Sequence, residues 1–367
     1  MKQAYISLKL DYKSLVSASL TKSGFLYALF AVLLATVFIS CEKDIEFKGT
    51  ISDPVPVLNS LLTPDSAVSV HLSQSRFVLG ESKPMSPITN ATVSLSVNGD
   101  LKEELIHEAN GVFRGSYFPR PGDEIAIEVE ADRYDRVESR TIIPGKPHVA
   151  VTDSTVTISE EDYSPPMEPD RVYRTTYRSM QVQLKLTDAP DTENYYYIKA
   201  NQNYYQDGKL LRSLPLELKL SELLKNNISS GSFIFEELFD EGGDTSMTEN
   251  LFPDFLVNGK DIFFDFSFHD TLNKAEYVRG EKVSGDNPEL TVEYIIEIAE
   301  ISKDLYQYVI SGSQAVRAKD NGPFSEPVQV HTNIQNGIGI LGAYTPYRFV
   351  SRFQTRHYPY DYHSYDY

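Results

Sequence analysis

Cys41 lies where its thiol could accept a lipid. It is the one cysteine of the chain and follows Phe38-Ile39-Ser40. This order is typical of a lipobox, where signal peptidase II cleaves before a cysteine that becomes acylated, although Phe38 replaces the more usual leucine. The uncharged run over residues 25–39 would span about 22 Å as a helix, short of the roughly 30 Å hydrocarbon core. The sequence therefore predicts a signal peptide over residues 1–40 and lipidation of Cys41. The alternatives are an uncleaved anchor helix and a cleaved signal peptide with an incidental cysteine.

Three glycines near the C-terminus have the spacing of a dinucleotide-binding fingerprint. Gly337, Gly339 and Gly342 match the letters, but that fingerprint needs a buried parallel strand before it and a helix that starts at its third glycine. The residues before Gly337 are largely polar, and Pro346 follows four residues after Gly342. We therefore expect a turn at Asn336-Gly337 and then an apolar strand in which glycine permits close packing, with no nucleotide site.

Two acidic or histidine-rich segments could in principle bind a metal. His357 and His363 lie near Asp361 and Asp366 in the C-terminal tail, and residues 236–244 are strongly acidic. The acidic segment lacks the spacing of an EF-hand loop, and the tail is better interpreted as a polar, tyrosine-rich terminus. The sequence therefore predicts neither a metal site nor a cofactor.

Catalytic motifs are not evident. The chain has no Gly-x-Ser-x-Gly elbow, its one cysteine is assigned to the lipid, and no spacing selects a carboxylate pair for glycoside hydrolysis. We therefore expect a protein that is not an enzyme, with a carbohydrate-active enzyme as the less favoured alternative.

A group of tyrosines offers possible binding surface. Aromatic faces beside polar groups suit carbohydrate or peptide ligands, and the hairpin around Asp207-Gly208 would place such rings on both of its faces. The candidate ligand-binding residues are Tyr195, Tyr196, Tyr197, Tyr204 and Tyr205. The favoured alternative is that one face fills the core while the other covers the sheet.

Composition limits the class of protein. The net charge of −18 argues against a nucleic-acid partner, and the apolar fraction of 41% is enough for packed cores. A single cysteine excludes a disulfide framework and multi-cysteine metal sites.

The first half of the chain has the pattern of a small β-sandwich. After an acidic tether over residues 41–50, short alternating runs such as 68–72, 91–97 and 125–129 predict half-buried strands, and Asn98-Gly99 predicts a tight turn. We expect an N-terminal antiparallel β-sandwich over residues 51–145, either prealbumin-like or immunoglobulin-like.

The second half is also mainly β. Its predicted strands cover residues 181–186, 195–200, 261–269 and 290–301. Ser302 is a predicted N-cap for a helix, and residues 216–224 could form a second helix or a strand. We expect a larger antiparallel β domain with one or two helices over residues 146–347, followed by a tyrosine-rich tail over residues 348–367.

Several short sequence motifs resemble those of a known family. They are Leu61-Leu62-Thr63-Pro64-Asp65, Asn90-Ala91-Thr92-Val93, Asp188-Ala189-Pro190, Ser302-Lys303-Asp304-Leu305, Gly322-Pro323-Phe324-Ser325 and Asn336-Gly337-Ile338-Gly339-Ile340. Together these resemble the Bacteroidota lipoproteins catalogued as domain of unknown function 4249, over residues 41 to about 347. Arg133-Tyr134 departs from the common Gly-Tyr pair, which bears on a turn and not on a site. The resemblance implies an outer-membrane lipoprotein, often encoded beside TonB-dependent transporters, and supplies no catalytic residues.

These observations predict a non-catalytic lipoprotein of the cell envelope. A lipid on Cys41 would anchor it to the outer membrane, with the folded part either periplasmic or surface-exposed. The expected role is a binding or accessory subunit of a TonB-dependent transporter. A structural or adhesive surface lipoprotein is the alternative.

Overall fold

The alternating segments form strands. The computed structural model describes residues 53–76, 85–218, 220, 250–284, 287–320 and 328–357. The signal peptide, Cys41, the acidic segment 236–244 and residues 358–367 of the predicted tail lie outside the described residues, whereas residues 348–355 of that tail belong to a strand. Most of residues 216–224, for which the sequence predicts a second helix or a strand, also lies outside the described residues. Leu216 itself is the last residue of a strand.

The elements have the following bounds, in chain order. The first eight strands are β1 (Pro56–Leu62), β2 (Ser69–Gln74), β3 (Ala91–Val97), β4 (Asp100–Glu104), β5 (Ile106–Ala109), β6 (Val112–Arg114), β7 (Glu124–Ala131) and β8 (Val137–Ile142). They are followed by β9 (His148–Tyr163), β10 (Arg171–Thr187), β11 (Tyr195–Gln206), β12 (Lys209–Leu216), β13 (Leu251–Pro253), β14 (Asp261–Val278), β15 (Glu281–Ser284), β16 (Leu290–Ile301), the helix α1 (Lys303–Asp320) and β17 (Ile338–Thr355).

Three sheets contain these strands. The largest has nine strands, eight of them in the order β12-β11-β16-β17-β1-β2-β6-β5, with β13 paired to β11. The other two have four strands each, in the orders β15-β14-β10-β9 and β4-β3-β7-β8. Almost every pair is antiparallel, so the prediction of a mainly β fold with antiparallel sheets is confirmed.

One pair departs from the antiparallel expectation. Residues 338–343 of β17 run parallel to residues 57–62 of β1. Residues 344–355 of the same strand run antiparallel to β16. The long strand β17 therefore changes partner midway and joins segments from the two ends of the chain in one sheet.

Two hydrophobic cores lie between the sheets. One contains Leu58 and Val70 of the large sheet with Leu95 and Ile127 of the sheet β4-β3-β7-β8, and it includes Leu341 of β17. The other packs the β11 and β16 side chains of the large sheet against β10 and β14, with residues such as Ile198, Ile296, Leu184 and Phe264. The described residues from Asp53 onwards belong to one compact unit. The predicted boundary at residue 145 falls inside that unit, between β8 and β9.

The predicted tight turns have the backbone geometry that their residues favour. Asn98 and Gly99 have φ of 54° and 88°, and Asp207 and Gly208 have φ of 50° and 75°. Positive φ at both central residues is the hairpin geometry that Asn-Gly and Asp-Gly favour. Arg133 also has a positive φ, 74°, in the left-handed region that suits glycine.

The helix begins as expected. The backbone N–H of Leu305 donates to Ser302 Oγ at 3.4 Å, so Ser302 caps the first turn. No helix within the described ranges combines the length and apolar character needed to cross a membrane.

Candidate functional site

A cavity lies where α1 packs on the large sheet. We call it the helix–sheet pocket, and its volume is about 370 Å³, near the lower end of the range of about 300–1,000 Å³ for small-molecule sites. Its aliphatic walls are Leu61, Leu251, Ile301, Leu305 and Val309. The remaining lining residues are Tyr197, Tyr344, Lys199 and Glu297.

The pocket exists because the helix comes very close to β17. Leu305 and Val309 of α1 pack against the cluster that contains Ile301. A Cβ on Gly342 would lie 3.0 Å from Leu305 Cδ1, so the absence of a side chain there lets the helix rest on the strand. Leu61 forms part of the rim and is 56% exposed. The result is an apolar concavity that is open to solvent.

A buried carboxylate marks the polar side of the pocket. Glu297 has only 3% of its side chain exposed, and Arg348 Nε donates to its Oε2 at 2.6 Å. Lys199 Nζ lies 2.9 Å from Oε1 as an ion pair but without hydrogen-bond alignment. Arg348 also pairs with Asp65. Two cations therefore compensate a carboxylate whose burial would otherwise be costly.

The five predicted tyrosines separate into different environments. Tyr195 is buried and packs on Tyr306, with ring centroids 4.6 Å apart. Tyr196 lies in the core, and its hydroxyl donates to Asp188 Oδ1 at 2.6 Å. The burial of both rings and the hydrogen bonds of their hydroxyls raise their pKa values.

Of the other three tyrosines, Tyr204 and Tyr205 lie near the C-terminal end of β11, and Tyr197 faces the cavity. Burial raises the pKa of Tyr204 to about 12, and this ring packs on Leu290 and Val292. Tyr205 is half-buried, with its hydroxyl donating to Glu293 Oε2 at 3.0 Å. Of the five, the structure places Tyr197 at the helix–sheet pocket.

Sequence reasoning did not select Leu61, Lys199, Glu297 or Tyr344. A signal for Glu297 does exist, because it is one of three glutamates within the largely apolar run 290–301. A buried charge needs a partner, and such a residue is therefore a candidate for an ion pair on the covered face of a strand. The partners themselves come from β11 and β17 and were not evident.

A second polar cluster lies at one end of the core between the large sheet and β10–β14. Asp254 Oδ2 accepts a hydrogen bond from the Asn194 N–H at 2.8 Å, and Glu300 Oε1 accepts one from Asn194 Nδ2 at 2.9 Å. Burial raises the pKa of both carboxyls. No group of three or more histidine, cysteine, aspartate or glutamate residues in the described part of the chain is arranged to hold a metal ion.

Glu300→Gln is expected to stabilise the protein near pH 7 by about 1 kcal/mol, and the gain should disappear on acidification. Because the pKa of Glu300 is raised in the folded state, the wild type loses stability as pH rises through that pKa, whereas glutamine has no proton to lose. Urea unfolding at pH 7 and at pH 4 measures the difference. Glu161→Gln, on the exposed strand β9, is the control and should change stability little at either pH. A gain from Glu300→Gln that persists unchanged at pH 4 would contradict the argument.

One family model matches most of the chain. Residues 42–349 match the family described as a domain of unknown function, DUF4249. The curated proteins contain no match. The matched range begins directly after Cys41 and includes every residue that lines the helix–sheet pocket. The chain therefore belongs to the DUF4249 family.

Proposed function

We propose that the protein is a non-catalytic binding lipoprotein whose helix–sheet pocket takes a small apolar group. The observation that carries this proposal is the pocket itself, an apolar cavity with aromatic walls and one convergent pair of charges. Such a combination is the usual form of a small-molecule site. Tyr197 supplies part of its aromatic surface.

A binding role is proposed, and not catalysis, because the charged side chains of the pocket are already engaged in ion pairs. A catalytic site requires a nucleophile or a proton-transfer group positioned towards a reacting atom. The two charged side chains that line the pocket, Lys199 and Glu297, are instead paired with each other, and Arg348 also engages the carboxylate. This arrangement suits recognition better than proton transfer.

The protein is further proposed to have a lipid anchor and a protein partner. A lipid on Cys41 would hold the protein at the outer membrane, on its periplasmic or its outer surface, which the lipobox order before the cysteine supports. The partner is a TonB-dependent transporter, to which this protein would be an accessory subunit. Family resemblance supports that choice.

Cys41→Ser is expected to remove the protein from the membrane. Without the thiol, no lipid can be attached, so labelled palmitate should not be incorporated and the processed form should be lost. Wild-type protein should also copurify with a TonB-dependent transporter from detergent-solubilised outer membranes. Fractionation and mass spectrometry measure both results.

Two further variants test the pocket separately from the anchor. Leu61→Glu places a charge at the exposed rim of the pocket and should weaken the binding of a small apolar probe such as octanol, while the protein stays in the membrane. Leu211→Glu, at a comparably exposed leucine on β12, is the control. A Cys41→Ser protein that still sediments with membranes at its mature size would overturn the anchor. Transporter complexes that lack the wild-type protein would overturn the accessory role.

A further inference from the structure

Lys199 is the more exposed of the two charged residues that line the helix–sheet pocket. Its side chain is 38% exposed, whereas that of Glu297 is 3% exposed. Nζ lies 6.0 Å from the centroid of the Tyr197 ring and 2.9 Å from Glu297 Oε1. An ammonium group has three N–H donors, and its contact with Glu297 lacks hydrogen-bond alignment. The Lys199 ammonium therefore has donors available for an acceptor inside the pocket.

Glu297 does not depend on Lys199 alone for its charge balance. Arg348 Nε donates to Glu297 Oε2 at 2.6 Å, a short charge-assisted hydrogen bond. Lys199 can therefore share its charge with a ligand without leaving the buried carboxylate uncompensated. Glu297 Oε1 is itself buried, so a ligand that enters from solvent meets the ammonium before it meets the carboxylate.

We propose that the helix–sheet pocket binds a small amphiphilic acid. Its carboxylate accepts hydrogen bonds from Lys199 Nζ, and its apolar body lies against Leu61, Leu305 and Tyr344. This inference rests on the proposed function, because it assigns a ligand class to the same pocket. Charge complementarity with Lys199 selects an acid over an alcohol or an amine with the same apolar body.

Three probes that share one apolar chain test this assignment. Octanoate, octanol and octylamine are titrated into the purified protein, and binding is followed by calorimetry. Octanoate is expected to bind at least tenfold more tightly than either of the others. Lys199→Ala should reduce octanoate affinity about tenfold and leave octanol unaffected, and Lys199→Arg should retain most of the octanoate affinity. Lys209→Ala, at an exposed lysine on the β11–β12 hairpin, is the control and should behave as the wild type.

The outcomes separate the ligand class from the pocket. Equal affinities for octanoate and octanol would overturn the acid and leave the pocket as an apolar site. Tightest binding of octylamine would also overturn it and assign recognition to Glu297. If none of the three probes binds, both the ligand class and the proposed role of the pocket are wrong. Circular dichroism of each variant shows whether a loss of affinity comes from misfolding.

Discussion

Arg178→Met is expected to lower the free energy of unfolding by about 3–5 kcal/mol, the usual cost of removing one partner from a buried ion pair. Arg178 and Asp270 have 5% and 7% of their side chains exposed, and Nη1 lies 3.5 Å from Oδ2. The guanidinium carbon also lies 4.2 Å from the centroid of the Phe353 ring. Without the arginine, the Asp270 carboxylate would remain in the core with no cation, and burial already raises its pKa. Urea or guanidinium denaturation measures the loss.

Arg174→Met is the matched control, because it removes the same side chain from the same strand. Arg174 donates two hydrogen bonds of 2.8 Å to Asp162, but the two side chains are 40% and 46% exposed. Exposed pairs contribute little, so the expected loss is below about 1 kcal/mol.

A double variant then separates charge from packing. In Arg178→Met/Asp270→Asn no unpaired charge remains, and the asparagine oxygen can still accept the hydrogen bond that Tyr294 donates. We expect the double variant to recover part of the loss. If the double variant is no more stable than Arg178→Met, the loss of stability comes from lost packing around Phe353 and not from the unpaired Asp270 carboxylate.

Gly339→Ala is expected to destabilise the protein by about 2–6 kcal/mol, through two effects that act at one position. Gly339 has φ of 112°, a region that residues with a Cβ adopt at a cost of about 1–3 kcal/mol. A Cβ there would also lie 2.1 Å from the carbonyl oxygen of Leu58, and relief of that overlap adds about 1–3 kcal/mol. Because Leu58 and Gly339 face each other across the parallel pair, β1 and β17 would have to separate.

Gly99→Ala isolates the backbone part of this effect. Gly99 also has a positive φ, 88°, but a Cβ there would meet no atom within 4 Å. Gly99→Ala should therefore lower the free energy of unfolding only by the cost of backbone strain. This loss should be smaller than that of Gly339→Ala, because no atomic overlap has to be relieved. Hydrogen exchange should show faster opening of β1 in Gly339→Ala and no change there in Gly99→Ala. Equal losses of stability would mean that the parallel pair tolerates the extra atom.

Much of the local structure was predictable from the sequence. The runs 91–97 and 290–301 coincide with β3 and β16, and the turns at Asn98-Gly99 and Asp207-Gly208 form as predicted. The helix begins after Ser302. These features depend on residues close together in the chain, because alternation and turn residues act on the backbone over a few positions.

The candidate site was predictable only in part. Alternation along β11 places Tyr196 and Tyr197 on opposite faces, but it does not say which face another element covers. The structure buries Tyr196 against the second sheet and leaves Tyr197 at the cavity beside α1. The polar group that we assign to ligand binding, Lys199, became visible only with its partner Glu297, which lies on another strand.

Local residue patterns were enough to predict the β class, the turns, the start of the helix and the family. The change of partner along β17 was evident only in the folded chain, where Val57 pairs with Ile338 and Leu290 pairs with Thr355. This change joins distant segments in one sheet. The pocket depends on that arrangement, because Leu61 reaches it from β1 and Leu305 from α1. The physical reason is that a hydrophobic pattern specifies which side of a strand is buried, whereas its partner is selected by the combined burial and packing of the whole chain.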